Sequence, residues 1–408
     1  MEIKERNLNH KSFFKGTIIF SLSQLSVQVI GLVRNSLIGH AVSPADFGKA
    51  AVFALVISLV ESLSEFSAEK LVLQYRFGCN SKLVASIHLF NVLKGFLSST
   101  IIILLQPFFL FFFDLGDASW GLYLIAFIPI IKGFSNIDYI KEQRKLNFKY
   151  NVYVELSGQL MALITVCIVL IYYADYKAAL FSLLAQALFF NVASHFFSKS
   201  KYKIRYSRTI FCKIISFGWP LLLNGLALFV ILQGDKFIIS KYFNMEILGY
   251  YSALSILAFI PVVIATKILM NTLLPLYSSK VEIKNSYINY FPFIVCIGYL
   301  FFTLMFEDFI INIVFGKQYL NQGYIFKALV IMWFFRLMQT KKIIQCIAAG
   351  DTKIPLKTTL IRMLFVPFGF LLVNVFSTVE SIVIAGAFGE ISALIYIYFK
   401  NNKVENES

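Results

Sequence analysis

Arg34, Lys94, Lys132, Lys236, Lys267, Arg336 and Arg362 stand inside stretches of sequence that are otherwise apolar, with Asp138, Asp235 and the series Glu61, Glu65 and Glu69. A charge in an apolar medium is costly, so each must face a partner, a water-filled cavity or a ligand. The cations outnumber the acids in this set. A cavity lined with excess Lys and Arg attracts an anionic cargo, and the planar fork of Arg matches phosphate oxygens. The expected chemistry is therefore anion binding, with Arg34, Arg336, Lys236, Lys267 and Arg362 as substrate-binding residues of one cationic cavity. Arg336 lies near the middle of its apolar run. Arg362, Lys94 and Lys132 lie within snorkelling reach of a boundary. Asp235 and Lys236 are adjacent and point about 100° apart on a helix, so one pairs locally while the other faces the cavity. Glu61, Glu65 and Glu69 recur every four residues and share one face of a helix. Glu61, the deepest, is the candidate for ion coupling or for an ion pair, as is Asp235.

No catalytic or cofactor motif accompanies them. Walker A, G-x-G-x-x-G, H-E-x-x-H and G-x-S-x-G patterns do not occur, so no cofactor, metal or enzymatic activity is implied. His10, His40, His88 and His195 lie on separate segments, and the five cysteines are scattered without pairing logic. Asp46-Phe47-Gly48 spells a kinase tripeptide, but without a kinase catalytic loop it reads as a span entrance.

The elements that position these charges are long apolar helices. Of 408 residues, 58% are hydrophobic and 14% charged, against about 25% charged in a soluble domain. Windows of about 20 apolar residues, the length that crosses a bilayer, number twelve, the first at 16–38 and the last at 379–399. The basic loop residues gather in every second segment, most densely from Lys199 to Lys213, while the alternate loops hold Lys177, Lys241 and Lys317. That asymmetry places both termini in the cytoplasm, for a multi-pass protein of the bacterial inner membrane. It also argues against nucleic acid as a partner despite a net charge of +15. The N-terminal apolar run is too long for a secretory leader and reads as the first span.

The fold class that follows is an all-α polytopic membrane protein of about twelve transmembrane helices in two six-helix lobes. They comprise an N-terminal lobe at 1–197, a basic cytoplasmic linker at 198–213, a C-terminal lobe at 214–399 and a tail at 400–408. An offset of 201 residues aligns Arg34 to Ile38 with Asp235 to Ile239, and Phe47 to Ala50 with Leu248 to Tyr251. In each copy a charged residue ends one helix and a glycine opens the next. The repeat makes Arg34 and Asp235 pseudo-equivalent and predicts that they pair. Pro220, Pro261, Pro275 and Pro367 would kink helices around a vestibule.

Three stretches carry a resemblance. They are Gln143-Arg144-Lys145-Leu146-Asn147-Phe148-Lys149; Gly218-Trp219-Pro220-Leu221 with Asp235-Lys236-Phe237-Ile238-Ile239 and Leu248-Gly249-Tyr250-Tyr251-Ser252; and Ala348-Ala349-Gly350-Asp351-Thr352-Lys353. Together they resemble the Wzx-type flippases, the polysaccharide-export branch of the multidrug/oligosaccharidyl-lipid/polysaccharide superfamily. The resemblance implies two lobes around a central cavity. It also implies a lipid-linked oligosaccharide as cargo, carried on undecaprenyl diphosphate, with membrane lipids, a polysaccharide polymerase and chain-length proteins as partners. The pathway would be that of an O-antigen, capsule or exopolysaccharide. The alternatives are a multidrug/cation antiporter of the same superfamily, which wants acidic sites, and a membrane-embedded glycosyltransferase or polymerase.

Overall fold

The computed structural model describes residues 10–64, 66, 68–74, 81–144, 148–278, 286–351 and 353–407. Lys4, Arg6, Glu65, Arg76, Cys79, Lys145, Lys280, Lys284 and Thr352 lie outside the described residues. Among those described, every regular element is a helix. The first half holds α1 (His10–Ala41), α2 (Pro44–Leu63), α3 (Ala68–Gln74), α4 (Ser81–Leu104), α5 (Gln106–Phe112), α6 (Gly121–Gly133), α7 (Asp138–Arg144), α8 (Lys149–Tyr172) and α9 (Lys177–Phe196). The second holds α10 (Arg208–Tyr242), α11 (Met245–Ser278), α12 (Ser286–Met305), α13 (Glu307–Phe315), α14 (Gly323–Met338), α15 (Thr340–Ala348), α16 (Lys353–Phe376) and α17 (Val379–Glu407). Seven of these, α4, α8, α9, α10, α11, α16 and α17, are long and apolar enough to cross a membrane by themselves. The pair α12 and α13 meets the same test as one span bent by 77°. The apolar helices α1, α2, α6 and α14 fall in the remaining windows of the twelve read from sequence, and the chain is a multi-pass helical membrane protein.

The repeat extends through the whole chain. Ala41 and Tyr242 end α1 and α10, and Pro44 and Met245 open α2 and α11. Leu104 and Met305 end α4 and α12, and Gln106 and Glu307 open α5 and α13. Each of these pairs is 201 residues apart. After one inserted residue, Gly121 and Gly323, Asp138 and Thr340, and Lys177 and Val379 open equivalent helices. Capping repeats too. The Ser43 hydroxyl accepts the N–H of Asp46 at 3.2 Å, and 201 residues on the Asn244 side-chain oxygen accepts the N–H of Ile247 at 2.9 Å. Each satisfies one of the open amides at a helix start. The halves differ after Leu63: α11 runs unbroken where the first half stops at that residue and restarts as α3. Glu61 and Glu69 therefore do not share a face of one helix, a correction to the four-residue periodicity.

Packing divides the chain into two compact units, one of residues 1–34, 53–110 and 116–225, the other of 35–52, 111–115 and 226–408. The covalent linker at 198–213 and this divide differ because α10 is one uninterrupted helix whose first half packs with the first unit, Gly218 lying against the backbone of Phe66. Within the second unit Gly48 and Gly249, equivalent under the repeat, meet reciprocally. A Cβ at Gly48 would fall on the carbonyl of Met245, and one at Gly249 on the carbonyl of Pro44. Without a hydrophobic drive between helices in lipid, such close backbone approach is a main source of association. The Asp46-Phe47-Gly48 tripeptide is thereby explained by structure. Asp46 completes the cap by accepting the Ser43 hydroxyl, Phe47 packs edge-on to Phe315 at 5.8 Å, and Gly48 makes the contact.

The linker is tied to the first unit through its backbone. Asp138 accepts the N–H groups of Lys199 at 2.8 Å and Ser200 at 3.1 Å, and pairs with Lys141 at 2.8 Å. Asn136 donates to Ser198 and Ser200, Lys199 pairs with Glu142 at 3.0 Å, and Arg205 donates its N–H to the Ala85 carbonyl at 3.1 Å. The Tyr202 ring stacks on His88 at 4.3 Å and lies 5.1 Å from His195. His88 bonds the Lys203 carbonyl through Nδ1 and receives the Ile137 N–H at Nε2. That pattern requires a neutral ring with its proton on Nδ1. Asp138, expected at membrane depth, instead opens the short helix α7 beyond the spanning helices and anchors the linker.

Two outcomes are expected. Gly48→Ala and Gly249→Ala each lower stability by about 1–3 kcal/mol through overpacking, whereas Gly31→Ala, where nothing lies within 4 Å of the added carbon, is neutral or stabilising. Thermal unfolding in detergent measures all three. Burial alone would raise the Asp138 carboxyl, but the Lys141 ammonium and the linker N–H groups more than offset it and hold the carboxyl down at about 2. A depressed carboxyl contributes stability that is fully present above its unfolded value of about 4 and is lost as pH falls toward about 2. Asp138→Asn should lose about 2 kcal/mol at neutral pH, and its unfolding curve should converge with that of the parent between about pH 4 and pH 2.

Candidate functional site

In the first unit a polar cavity of about 500 Å³ lies among α1, α2, α4, α6, α8 and α9. The helices around it are held close by glycine. A Cβ at Gly95 would stand 2.5 Å from the Pro129 carbonyl, and one at Gly133 would stand 2.7 Å from that of Asn91, so α4 and α6 meet backbone to backbone. This brings Lys132 of α6 to Glu61 of α2 at 2.5 Å, a half-exposed pair at the cavity wall. Gln24 donates to Glu155 at 2.5 Å, and Asn151 donates to the other oxygen of Glu155 at 3.2 Å. Arg34 donates to the side-chain oxygen of Gln186 at 2.9 Å. Glu69 and Lys94 complete the charged lining. The buried hydroxyls of Ser98 and Ser135 and the carbonyl oxygen of Gln159 line the cavity without a hydrogen-bond partner in the protein.

The same places in the second half carry other residues. Glu61 corresponds to Val262, Lys94 to Val295, Ser98 to Tyr299, Gly133 to Phe335, Ser135 to Leu337 and Gln186 to Phe388, and, since α8 and α16 begin at Lys149 and Lys353, Gly158 to Arg362. The charged Glu61 and Lys94 have valine as their counterparts, and the small or polar residues at the other five places have large ones. Tyr299 reaches across to the Ala258 carbonyl at 3.1 Å. Arg362 is buried and enters a brace between α14, α16 and α17. Glu390 receives Arg336 on one oxygen at 2.9 Å and lies 3.1 Å from Nε of Arg362 on the other. The Arg362 Nε contact is ionic but too poorly aligned for a hydrogen bond. Gln339 donates to the Glu390 carboxylate at 2.9 Å and accepts from Arg362 at 2.9 Å. One carboxylate thus serves two guanidinium groups. Side-chain exposure is 5% for Arg362 and 6% for Glu390 but 22% for Arg336, the most exposed of the three.

The predicted cations are divided between the two units. Arg34 belongs to the first unit, and Lys236, Lys267, Arg336 and Arg362 belong to the second. Arg336 and Arg362 come together, joined by Glu390. Arg362 does not snorkel. Lys132 pairs with Glu61 instead of reaching a boundary. Asp235 accepts the Tyr251 hydroxyl and the N–H of Lys236, whose ammonium bonds Gln233 at 2.8 Å. Arg34 and Asp235, expected to pair, each hold a partner in their own unit in this conformation. Lys267 is half-buried on α11. Sequence reasoning missed Glu155 and Glu390, each an acid inside an apolar window. With them counted, the excess of cations over acids within the helices shrinks. Among the described residues no group of three or more His, Cys, Asp or Glu side chains is placed to hold a metal.

Glu390→Gln leaves a buried guanidinium without its counter-charge and should cost about 3–5 kcal/mol. Arg336→Gln leaves the Arg362–Glu390 contact in place and should cost less than half of that. Thermal unfolding of the purified variants decides the matter, and equal losses would show that Arg336 is as integral to the brace as Glu390.

A family model described as polysaccharide biosynthesis protein matches residues 40–322. No curated protein sequence matches the chain. Among solved structures, the chain is similar to a multidrug resistance MATE family transporter of the MOP superfamily in an inward-facing conformation, at TM-score 0.69 and 14% identity, over 95% of this chain and 98% of that one. It is similar to the lipid II flippase MurJ in an inward closed conformation, at TM-score 0.69 and 16% identity, over 94% of this chain and 87% of that one. A MOP superfamily transporter from Pyrococcus furiosus, described as having a binding pocket of reversed polarity, matches at TM-score 0.60 and 15% identity, over 96% and 95% of the two chains. These likenesses establish the fold as that of the MOP superfamily transporters. With well over half of its length matched by the family model, the chain belongs to the polysaccharide biosynthesis protein family.

Proposed function

We propose that this protein is a flippase that carries undecaprenyl-diphosphate-linked oligosaccharide repeat units across the bacterial inner membrane, with both termini in the cytoplasm. The observation that carries this reading is membership of a polysaccharide biosynthesis family by a chain with a transporter fold. The likeness to a lipid II flippase supports the same class of cargo. Two arginines around one buried carboxylate leave net positive charge in the second unit, and Arg336 is exposed enough to meet a diphosphate. Lys236 and Lys267 in that unit, and Arg34 in the first, are the further cations assigned to the cargo. Desolvated guanidinium groups would replace the water that a diphosphate loses on leaving the surface. An inside-negative potential favours outward movement of an anion by about 2.3 kcal/mol per charge per 100 mV. The role is transport, not catalysis. A polysaccharide polymerase and chain-length proteins would take over the product.

A second reading, a cation-coupled antiporter, is favoured by one observation. The cavity of the first unit carries Glu61, Glu69 and Glu155 against Lys94 and Lys132. The two readings combine if Glu61 returns a proton or cation while the second unit handles the anion.

Deleting the gene should abolish surface polysaccharide while lipid-linked repeat units accumulate on the cytoplasmic face, read by profiling the lipid-linked oligosaccharides. Arg336→Ala should reproduce that phenotype at matched expression, and Arg336→Lys should keep part of the activity because charge survives without the fork. Normal polysaccharide in the deletion strain, with no redundant transporter, rejects the function; normal polysaccharide with Arg336→Ala alone removes only that residue.

A further inference from the structure

We infer that the segment joining α9 to α10 is a binding site for anionic phospholipid headgroups, built by pinning its backbone to the first unit and leaving the side chains of Lys201, Lys203 and Arg205 exposed. The pinning comes from Asp138, His88 and Ala85, which hold the backbone of Lys199, Ser200, Lys203 and Arg205. The side chains of Lys201, Lys203 and Arg205 take no part in it and are exposed. Arg208, exposed at the start of α10, extends the row. Four cations therefore stand within eight residues, while the nearby acids Asp138 and Glu142 are engaged with Lys141 and Lys199.

The depth of the segment decides between lipid and open solution as its surroundings. Ala85 and His88 lie four and seven residues into α4, whose first residue is Ser81. At about 1.5 Å per residue that is roughly 6–10 Å along the helix, a distance comparable to the headgroup layer at the edge of the hydrocarbon. Ile204 and Tyr206, 51% and 64% exposed between the cations, support the same placement. A large aliphatic side chain and a tyrosine are poorly placed in water and well placed at a membrane boundary. A row of Lys and Arg beside the end of a span attracts acidic lipids, each charge adding to the affinity, and the attraction weakens with salt. The site holds whichever face of the membrane the linker occupies, so it does not depend on the cargo or topology proposed above.

Native mass spectrometry of the purified full chain tests it, with phosphatidylglycerol or phosphatidylcholine of identical acyl chains titrated in nonionic detergent. The parent protein should bind phosphatidylglycerol at least about a hundredfold more tightly, with affinity falling as salt rises. The triple variant Lys201→Gln, Lys203→Gln, Arg205→Gln removes no hydrogen bond of the backbone anchor. It should keep the parent melting temperature and lose phosphatidylglycerol affinity on the order of a hundredfold, about fivefold per charge. Asp138→Asn, which loosens the anchor with every cation present, should lose several-fold. Equal binding of the two lipids by the parent overturns the inference, as does undiminished phosphatidylglycerol binding by a folded triple variant. Tight binding of soluble polyphosphate with none of phosphatidylglycerol would assign the row to a soluble polyanion and overturn it too.

Discussion

A charge inside hydrocarbon has to be matched from within the protein, and the placement of helices in each unit follows from how that matching is done. Glu390 draws Arg336 of α14 and Arg362 of α16 to one carboxylate on α17, and Gln339 closes the remaining valences from the end of α14. Lys132 and Glu61 do the same for α6 and α2 at the wall of the cavity. Asp235 is satisfied by a tyrosine hydroxyl of α11 and the neighbouring backbone. A buried ion pair adds little net stability, because desolvation offsets most of the attraction. What it does supply is a penalty for any other arrangement. Apolar helices in lipid can slide past one another at small cost, but a displaced Glu390 would leave two arginines exposed to hydrocarbon.

Glycine supplies the complementary constraint. Gly95 and Gly133 bring α4 and α6 into backbone contact, and Gly48 and Gly249 do so for the starts of α2 and α11. The second pair is self-complementary under the 201-residue repeat, each glycine lying on the carbonyl that opens the other helix. A duplicated segment produces such a contact readily, since one surface that fits its own copy is sufficient. The duplication also explains how the halves could diverge without losing the scaffold. Gly158 and Arg362 stand at equivalent places on α8 and α16; a Cβ at Gly158 would already crowd the Gln186 carbonyl at 3.0 Å, whereas Arg362 reaches away to Gln339.

The spans were legible in sequence because lipid-facing apolarity is local: each of the twelve apolar windows contains a helix. The repeat was legible from a few residues because the caps and glycines that open α2 and α11 recur at a fixed spacing. The breaks were harder. Glu61 and Glu69 kept helical spacing across a stop at Leu63, although the 77° bend between α12 and α13 falls where the apolar window ends, before Glu307 and Asp308. The charge partners were not legible at all. Lys132 finds Glu61 at a separation of 71 residues, and Arg336 finds Glu390 at 54, distances that only packing determines. Glu155 and Glu390 went uncounted since each is a lone acid in an apolar window, and their omission made the interior look more cationic than it is.

That correction changes what the two halves can each contribute. In the first unit, acids and amides around a cavity meet two lysines, and the local balance favours a cation or an uncharged polar group. In the second, two guanidinium groups share one carboxylate, and the balance favours an anion. The residues expected to line one cationic cavity thus include groups in two differently charged settings. If the first unit couples a cation and the second meets an anionic cargo, the proposed flippase and a cation-coupled carrier do not compete for the same residues. Mutations at Glu61 would then act on coupling and mutations at Arg336 on cargo. The difference in charge between the halves has a physical origin in the repeat, for the neutral Gly158 of α8 has as its counterpart on α16 the buried cation Arg362.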